Sequence, residues 1–303
     1  KKMGRTSPVK STGITVPLGA LYAEENAVIG EYTAIPAFAE FAKKSGLTVI
    51  QLLPVNDTGT HSSPYSGLSA FALHPIYIDI HALPEFEAAS KSDKKIAKLY
   101  ADMAKQFPYD KNGRYDYTGI LNAKTELLQR LYKTTDTAAN AAPSAELDAW
   151  IAKNPWIVNY AVYKNLKDKY AQASWKDWEE KDRILKDGEI QKRWNAKAAK
   201  KAHLFYAWAQ MRAAEQFKAA ADAVRALGIT LKGDMPILMN EDSCDAWALP
   251  GIFNHNLRAG SPVDGENPTG QNWGFPTYDW NYLKEHKYDW WIERLKSAEQ
   301  YYG

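Results

Sequence analysis

Apolar and polar positions change period several times along the chain, and each change marks an element. Gly13-Ile-Thr-Val-Pro-Leu18 is a short β-branched run, followed by a loop over 19–31 and a helical period over 33–44 that stops at Gly46. Glycine is the residue that most readily closes a helix in left-handed backbone. Leu47-Thr-Val-Ile-Gln-Leu-Leu-Pro54 is almost uninterrupted apolar sequence, as in a strand covered on both faces of a parallel sheet. The unit reads as strand, helix, strand. A polar loop over 55–75, rich in Gly, Ser and Thr, comes next, and 75–80 reads as a side strand.

From about Asp93 to Leu227 the pattern is helical, with helices over 118–133, 155–170 and a long one over 189–227. Asn154 reads as a cap and Pro155 as the first-turn proline after it. Leu204, Trp208, Met211, Glu215 and Lys218 recur at helical spacing, and the Lys/Ala stretch 195–202 reads as a solvated face. Gly228 closes the region and 229–238 reads as the next strand. The second and third strands are separated by far more chain than a crossover needs, which predicts an inserted helical subdomain. A loop over 239–280 and a helix over 288–300 complete the chain. The pattern is α/β, with three parallel strands and a side strand, short of the eight strands of a (β/α)8 barrel.

The 303 residues suit about two ordinary units or one large barrel. Lysine and arginine number 38 against 36 aspartates and glutamates, a net charge of +2, too balanced for the basic footprint of a nucleic-acid or anionic-membrane partner. The single cysteine, Cys244, cannot form an internal disulfide. No apolar run approaches the ~18 residues of a membrane span, and the opening Lys1-Lys2-Met3 lacks the apolar stretch of a secretory signal. A cytoplasmic protein is expected.

Aromatic residues form 13% of the chain, with 11 Trp, 18 Tyr and 9 Phe. Such rings pack cores, and they also stack on the C–H faces of sugars. There is no P-loop, dinucleotide fingerprint, nucleophile elbow or zinc spacing. The six histidines form no i, i+4 pair, and Glu241, Asp242 and Asp245 lack the spacing of a calcium loop. No metal or cofactor is expected.

Polar and aromatic residues concentrate in two loops that follow strand ends, where parallel α/β folds keep ligands. One runs over 54–75; the other carries Asn240-Glu-Asp-Ser-Cys-Asp-Ala-Trp247 and Gly270-Gln-Asn-Trp-Gly-Phe-Pro-Thr-Tyr278. Carboxylates beside indoles and phenols suit carbohydrate recognition, and loops that merely cap a barrel compete with that reading.

Four ordered motifs carry a resemblance that spans about 13–303. Gln51-Leu-Leu-Pro-Val-Asn-Asp-Thr-Gly with Ser62-Ser-Pro-Tyr-Ser and Leu68-Ser-Ala-Phe-Ala-Leu-His-Pro resembles the first signature of the family 77 glycoside hydrolases, the 4-α-glucanotransferases or amylomaltases. Gly233-Asp-Met-Pro-Ile, Asp242-Ser-Cys-Asp-Ala-Trp and Thr269-Gly-Gln-Asn-Trp-Gly-Phe-Pro-Thr-Tyr resemble its later signatures in the same order.

The resemblance implies a TIM (β/α)8 barrel of the α-amylase superfamily with a large helical insertion after strand 2. Residues 1–90 would hold the first strands and active-site loop, 91–227 the insertion, and 228–303 the third strand, the cleft loop and a helix. It implies transfer of α-1,4-glucan segments between maltooligosaccharides by a retaining double displacement. Tyr65 would stack on a sugar ring, Asp242 would hydrogen-bond the glucose at the cleavage subsite, and Gln271, Trp273 and Ser63 would bind substrate. Loop packing competes for each of them, and more strongly for Ser63, Asp57 and Asp245. Asp234, placed inside the third strand, reads as structural.

In that family the nucleophilic aspartate follows a helix of the Trp290-Trp-Ile-Glu-Arg-Leu295 type, in an Arg-x-Asp-His strand, and the acid/base glutamate and a third aspartate come later. This sequence has the helix but reaches Gly303 before any of them. No catalytic residue is therefore assigned, and Glu241 with Asp242 is not promoted in their place. The sequence reads as the N-terminal part of such an enzyme, and the missing C-terminal half of the barrel is an expected partner. A non-catalytic glucan-binding module and a structural half that needs a complementary chain are the alternatives, with an amylase-like hydrolase behind them.

Overall fold

A computed structural model describes residues 10–22, 28–108 and 114–303. The opening residues 1–9, part of the loop expected over 19–31 and residues 109–113 of the helical region lie outside the described residues. Strand β1 (Gly13–Val16), β2 (Val49–Leu52) and β3 (Thr230–Lys232) form a parallel sheet with β2 in the centre. The helix between β1 and β2 covers Ile35–Lys44, after a 3-10 turn at Tyr32–Ala34.

Both glycines expected to end helices do so. Gly46 has φ 77°, donates to Lys43 O, and lets Leu47 N reach back to Ala42 O. Gly228 repeats this with φ 77°, Arg225 O and Ile229 N to Val224 O. These paired bonds satisfy carbonyls at each helix end and aim the chain directly into β2 and β3.

Ile50, Leu52 and Leu231 are buried, and the same hydrophobic cluster continues without a break through Leu127, Leu131, Tyr160 and Phe217 of the helical region. Its spine is the helix Lys200–Ala226, which runs back into β3. Phe217 of this helix packs on Tyr32 at 5.1 Å and stacks on Tyr301 at 4.5 Å.

Several boundaries differ from the sequence reading, each for a local reason. The helix expected over 189–227 is two, Glu189–Trp194 and Lys200–Ala226. In one continuous helix Trp194 and His203 would lie about 13 Å apart along the axis, whereas the break at 195–199 folds them into a stack at 5.8 Å. The stretch 195–202 is thus mostly a turn, not a helix face. The helix after Pro155 begins at Ile157, because Asn154 closes the preceding helix, Ala145–Lys153. Its Nδ2 donates to Trp150 O and its Oδ1 accepts from Trp156 Nε1, so Asn154 is the C-cap of the preceding helix and not the N-cap of the following one.

Residues 75–80 are no strand: Pro75–Tyr77 is a 3-10 turn. Two glutamine side chains of the long helix stand where a strand partner was expected. Gln210 accepts from Leu73 N at 2.8 Å and donates to Leu73 O at 2.7 Å, and Gln216 does the same at Asp79, both at 2.8 Å. The strand expected over 229–238 stops at Lys232, which leaves Asp234 in the loop beyond the sheet. The loop expected over 239–280 holds a short helix, Cys244–Ala248, and a bulged antiparallel hairpin of β4 (Phe253–Ser261) and β5 (Gln271–Tyr278). The final helix covers Asp289–Glu299, preceded by Trp280–Glu285.

Candidate functional site

A cleft of 330 Å³ opens beyond the sheet, where four segments distant in sequence meet. The loop after β2 contributes His61 and Ser66, the helical region Ser174 and Lys176, the loop after β3 Asn240, Glu241 and Asp242, and β5 Trp273, Gly274 and Phe275. Local sequence sets the loop after β3: Asn240 accepts from Asp242 N and donates to Ser66 Oγ, both at 2.8 Å, and Ser243 caps the helix Cys244–Ala248. The chain therefore turns sharply and presents Glu241 and Asp242 side by side.

Both carboxylates are compensated. Asp242 Oδ2 accepts from Lys167 Nζ at 2.7 Å and Oδ1 from Trp175 N at 2.9 Å, and its carbonyl accepts from Tyr163 Oη. Glu241 Oε1 is shared by Lys176 and Arg258. Each carboxylate oxygen can accept about two hydrogen bonds, so acceptor capacity remains while three cations balance two anions. Such a lining suits a neutral, hydroxyl-bearing ligand better than a cation. Among the described residues no three His, Cys, Asp or Glu side chains gather as a metal site.

Of the five binding residues expected from sequence, Asp242 and Trp273 line this cleft. The Trp273 side chain is half exposed and its Nε1 donates to Gln271 Oε1 at 2.8 Å, so Gln271 orients the indole from outside the lining. Tyr65 is exposed and donates to Asp234 Oδ2 at 2.8 Å. That bond, ahead of burial and the aspartate's charge, raises the phenol's pKa. Asp234 thus holds Tyr65 from the loop after β3 instead of sitting within a strand. Ser63 is exposed and closes a turn through its carbonyl, which accepts from Ser66 N at 3.1 Å.

Asp57 and Asp245 are buried among chain donors. Asp57 accepts from Tyr160 Oη at 2.6 Å and Gly59 N at 2.8 Å, with Lys164 at 3.1 Å. Asp245 accepts from Ala70 N and Trp290 Nε1 at 2.8 and 3.1 Å, and burial raises its pKa. Sequence reasoning missed Tyr163, Lys167, Trp175 and Lys176. For the first two the signal was a tyrosine and a lysine four residues apart on a mostly apolar helix face, which is buried; Trp175 and Lys176 carried none.

Larger cavities lie elsewhere: 750 Å³ beside Trp175, Ile184 and Trp247, 490 Å³ between Trp156, Phe71 and Trp290, 440 Å³ beside His81 and Phe86, and 380 Å³ beside Asn56, Asp234 and Tyr302; none of these contains any of the five binding residues expected from sequence.

A family model described as 4-alpha-glucanotransferase matches residues 16–303. The rice 4-alpha-glucanotransferase DPE2 is 30% identical over 98% of this chain and 31% of its own length. The 4-alpha-glucanotransferase of Chlamydia caviae is 30% identical over 96% of this chain and 53% of its own length, and that of Thermus thermophilus 33% over 86% and 50%. The chain thus spans about half, or less, of the curated relatives it matches. Among solved structures, the amylomaltase of Streptococcus agalactiae in complex with acarbose superposes with TM-score 0.78 at 22% identity, over 96% of this chain and 58% of that one. The amylomaltase of Corynebacterium glutamicum gives TM-score 0.78 at 18% identity, over 97% and 40%. The fold is therefore that of amylomaltases, and the chain belongs to the 4-alpha-glucanotransferase family, glycoside hydrolase family 77.

Proposed function

We propose that this chain carries the glucan-binding part of a 4-α-glucanotransferase, and that the complete enzyme moves α-1,4-glucan segments between maltooligosaccharides by a retaining double displacement. The observation that carries this reading is the cleft that joins Asp242 to Trp273. It offers a carboxylate with acceptor sites to spare beside an exposed indole, the pairing that recognises sugar hydroxyls and sugar faces together. Asp242 would accept glucose hydroxyls, Trp273 would stack on a ring, and Gln271 and Tyr65 would hold or extend this platform. Ser63 would act at the rim.

In this reading the parallel strands are the first of a (β/α)8 barrel, residues 91–227 are the insertion, and the barrel is completed by strands that a further half supplies. That half would also supply the nucleophile and acid/base. Glu241 and Asp242 are neighbours bound to chain cations, an arrangement unlike two carboxyls flanking a glycosidic bond at ~5 Å. The same ion pairing favours a second reading for the chain by itself, binding without turnover.

Incubation of the purified chain with maltotriose, followed by chromatography of products, separates the two. Glucose together with longer oligomers would mean that carboxylates in this chain suffice. Calorimetric binding of maltotriose with no products is the expected result. Absence of binding would remove the glucan reading of the cleft.

A further inference from the structure

We infer that Lys167 is a positioning residue for the cleft, clamping the Asp242 carboxylate to a turn of the helical region. The inference rests on the glucan reading above for its ligand, but its geometry stands on the chain alone.

Lys167 occupies the last turn of the helix Ile157–Lys169, and its side chain is only 4% exposed. An ammonium has three N–H bonds, and all three are used: to Gln172 O at 2.8 Å, Ala173 O at 2.9 Å and Asp242 Oδ2 at 2.7 Å. It therefore has none left for a ligand and cannot be a contact residue. Two of its acceptors belong to a turn in which Ala171 and Gln172 have φ 49° and 67°, a left-handed conformation that residues with a Cβ hold only when their surroundings impose it. Gln172 N returns to Lys167 O at 2.7 Å, so the lysine is bonded to the turn through both backbone and side chain.

The chain leaving this turn builds one wall of the cleft with Ser174 and Lys176. Between them, Trp175 donates its N–H to Asp242 Oδ1 at 2.9 Å and its Nε1–H to Glu241 O at 2.8 Å. Lys167 and Trp175 thus take one acceptor site on each oxygen of Asp242 and fix where the remaining two point. Without the ammonium the carboxylate would be held by the Trp175 N–H alone, and its outward acceptor sites would lose their fixed direction. Toward the ligand Lys167 acts through Asp242, and that makes a double-variant cycle decisive.

The test compares the wild-type chain with K167M, K167R, D242A and K167M/D242A, using maltotriose titration calorimetry and amide hydrogen exchange. K167M is expected to weaken maltotriose binding at least tenfold, K167R to recover part of the loss, and the double variant to bind no worse than D242A. Exchange at the Trp175 amide is expected to rise in K167M while the central strand Val49–Leu52 stays protected. A general folding defect would instead expose both regions. D242A approaches the clamp from the other side and must also release the Trp175 amide. Additive binding losses, or a Trp175 amide that stays protected in D242A, would overturn the inference. A wild-type chain that fails to bind maltotriose would overturn the glucan reading, and with it the role of Lys167 toward that ligand, while the exchange data would still decide the clamp.

Discussion

Asp57 and His74, both almost wholly buried, pin the loop after β2 from within. His74 Nδ1 accepts from Ile76 N at 3.2 Å, so the ring's proton sits on Nε2, against Tyr117 Oη. Burial pushes the imidazole pKa down to about 4, outweighing the pull of Asp57 at 3.9 Å. An unfolded histidine titrates near pH ~6.5, so in acid the unfolded chain takes up the proton first. The stabilisation is complete above about pH 6.5 and is lost as the pH falls toward 4, roughly 3 kcal/mol over that interval. Burial opposes ionisation of Asp57 too, but Lys164, His74 and the Tyr160 hydroxyl hold its pKa well below the usual carboxylate range. Its contribution therefore persists to lower pH and fades only below about pH 4. Urea denaturation at steps from about pH 7 to about pH 4 is expected to show the histidine loss, and H74Q to flatten it; a wild-type profile flat over that range would contradict the burial argument. Trp273 gives a prediction of another kind. Because its indole is half exposed, W273A is expected to leave the melting temperature within a degree or two of wild type while weakening maltotriose about tenfold. Calorimetry with a parallel thermal melt checks both. Trp273 and Asp242 were picked out in sequence by the family motifs that contain them, in loops that follow strand ends. Lys167 was not, since a lysine in a helix ordinarily reads as solvated.

At the level of elements, sequence periodicity reported burial faithfully and backbone partners poorly. Ile76, Ile78 and Ile80 are all buried, the alternation of a strand, yet Gln216 holds Asp79 where a neighbouring strand was expected. An alternating pattern says which side chains face inward and is silent on what bonds the main chain. Helix ends were more readable, because Gly46 and Gly228 occupy a backbone region that few other residues enter without cost. The hairpin of β4 and β5 escaped notice because its outer part is exposed at Asn256, Leu257, Gln271 and Asn272 and shows no apolar face. Gln210 tests the glutamine arrangement. It is buried and satisfies both the N–H and the C=O of buried Leu73, so Q210L would leave two main-chain groups without partners. The expected loss is about 2–4 kcal/mol in urea denaturation, with a smaller loss for Q216L, whose partner Asp79 is only half-buried. A Q210L variant as stable as wild type would show that water replaces the amide.

For the molecule as a whole, the sheet adjoins the larger of two hydrophobic clusters, and its first strand is open to solvent along most of its length. Among the described residues β1 pairs with β2 alone, and Gly13, Ile14 and Thr15 are exposed along it. On the far side, Gly303 N donates to Leu231 O at 3.0 Å and so meets the outer edge of β3 at one point. A short, uncharged, β-branched edge of this kind is a template for another strand. Amylomaltase structures that share this fold are longer than this chain, which covers 58% and 40% of the two compared. The 303-residue chain on its own is therefore expected to self-associate through β1. Ile14 is the residue to change: it is 37% exposed and pairs in register with Ile50 of the central strand. A lysine there places a charge on the edge, as natural edge strands do, while its methylene stem can still cover the apolar surface beneath. Sedimentation velocity from about 1 to about 100 µM is expected to show concentration-dependent association of wild type, with I14K shifting the midpoint at least tenfold higher. A wild-type chain that stays monomeric across this range and melts cooperatively would mean that the edge is already protected, and that the three strands need no further partner to be stable.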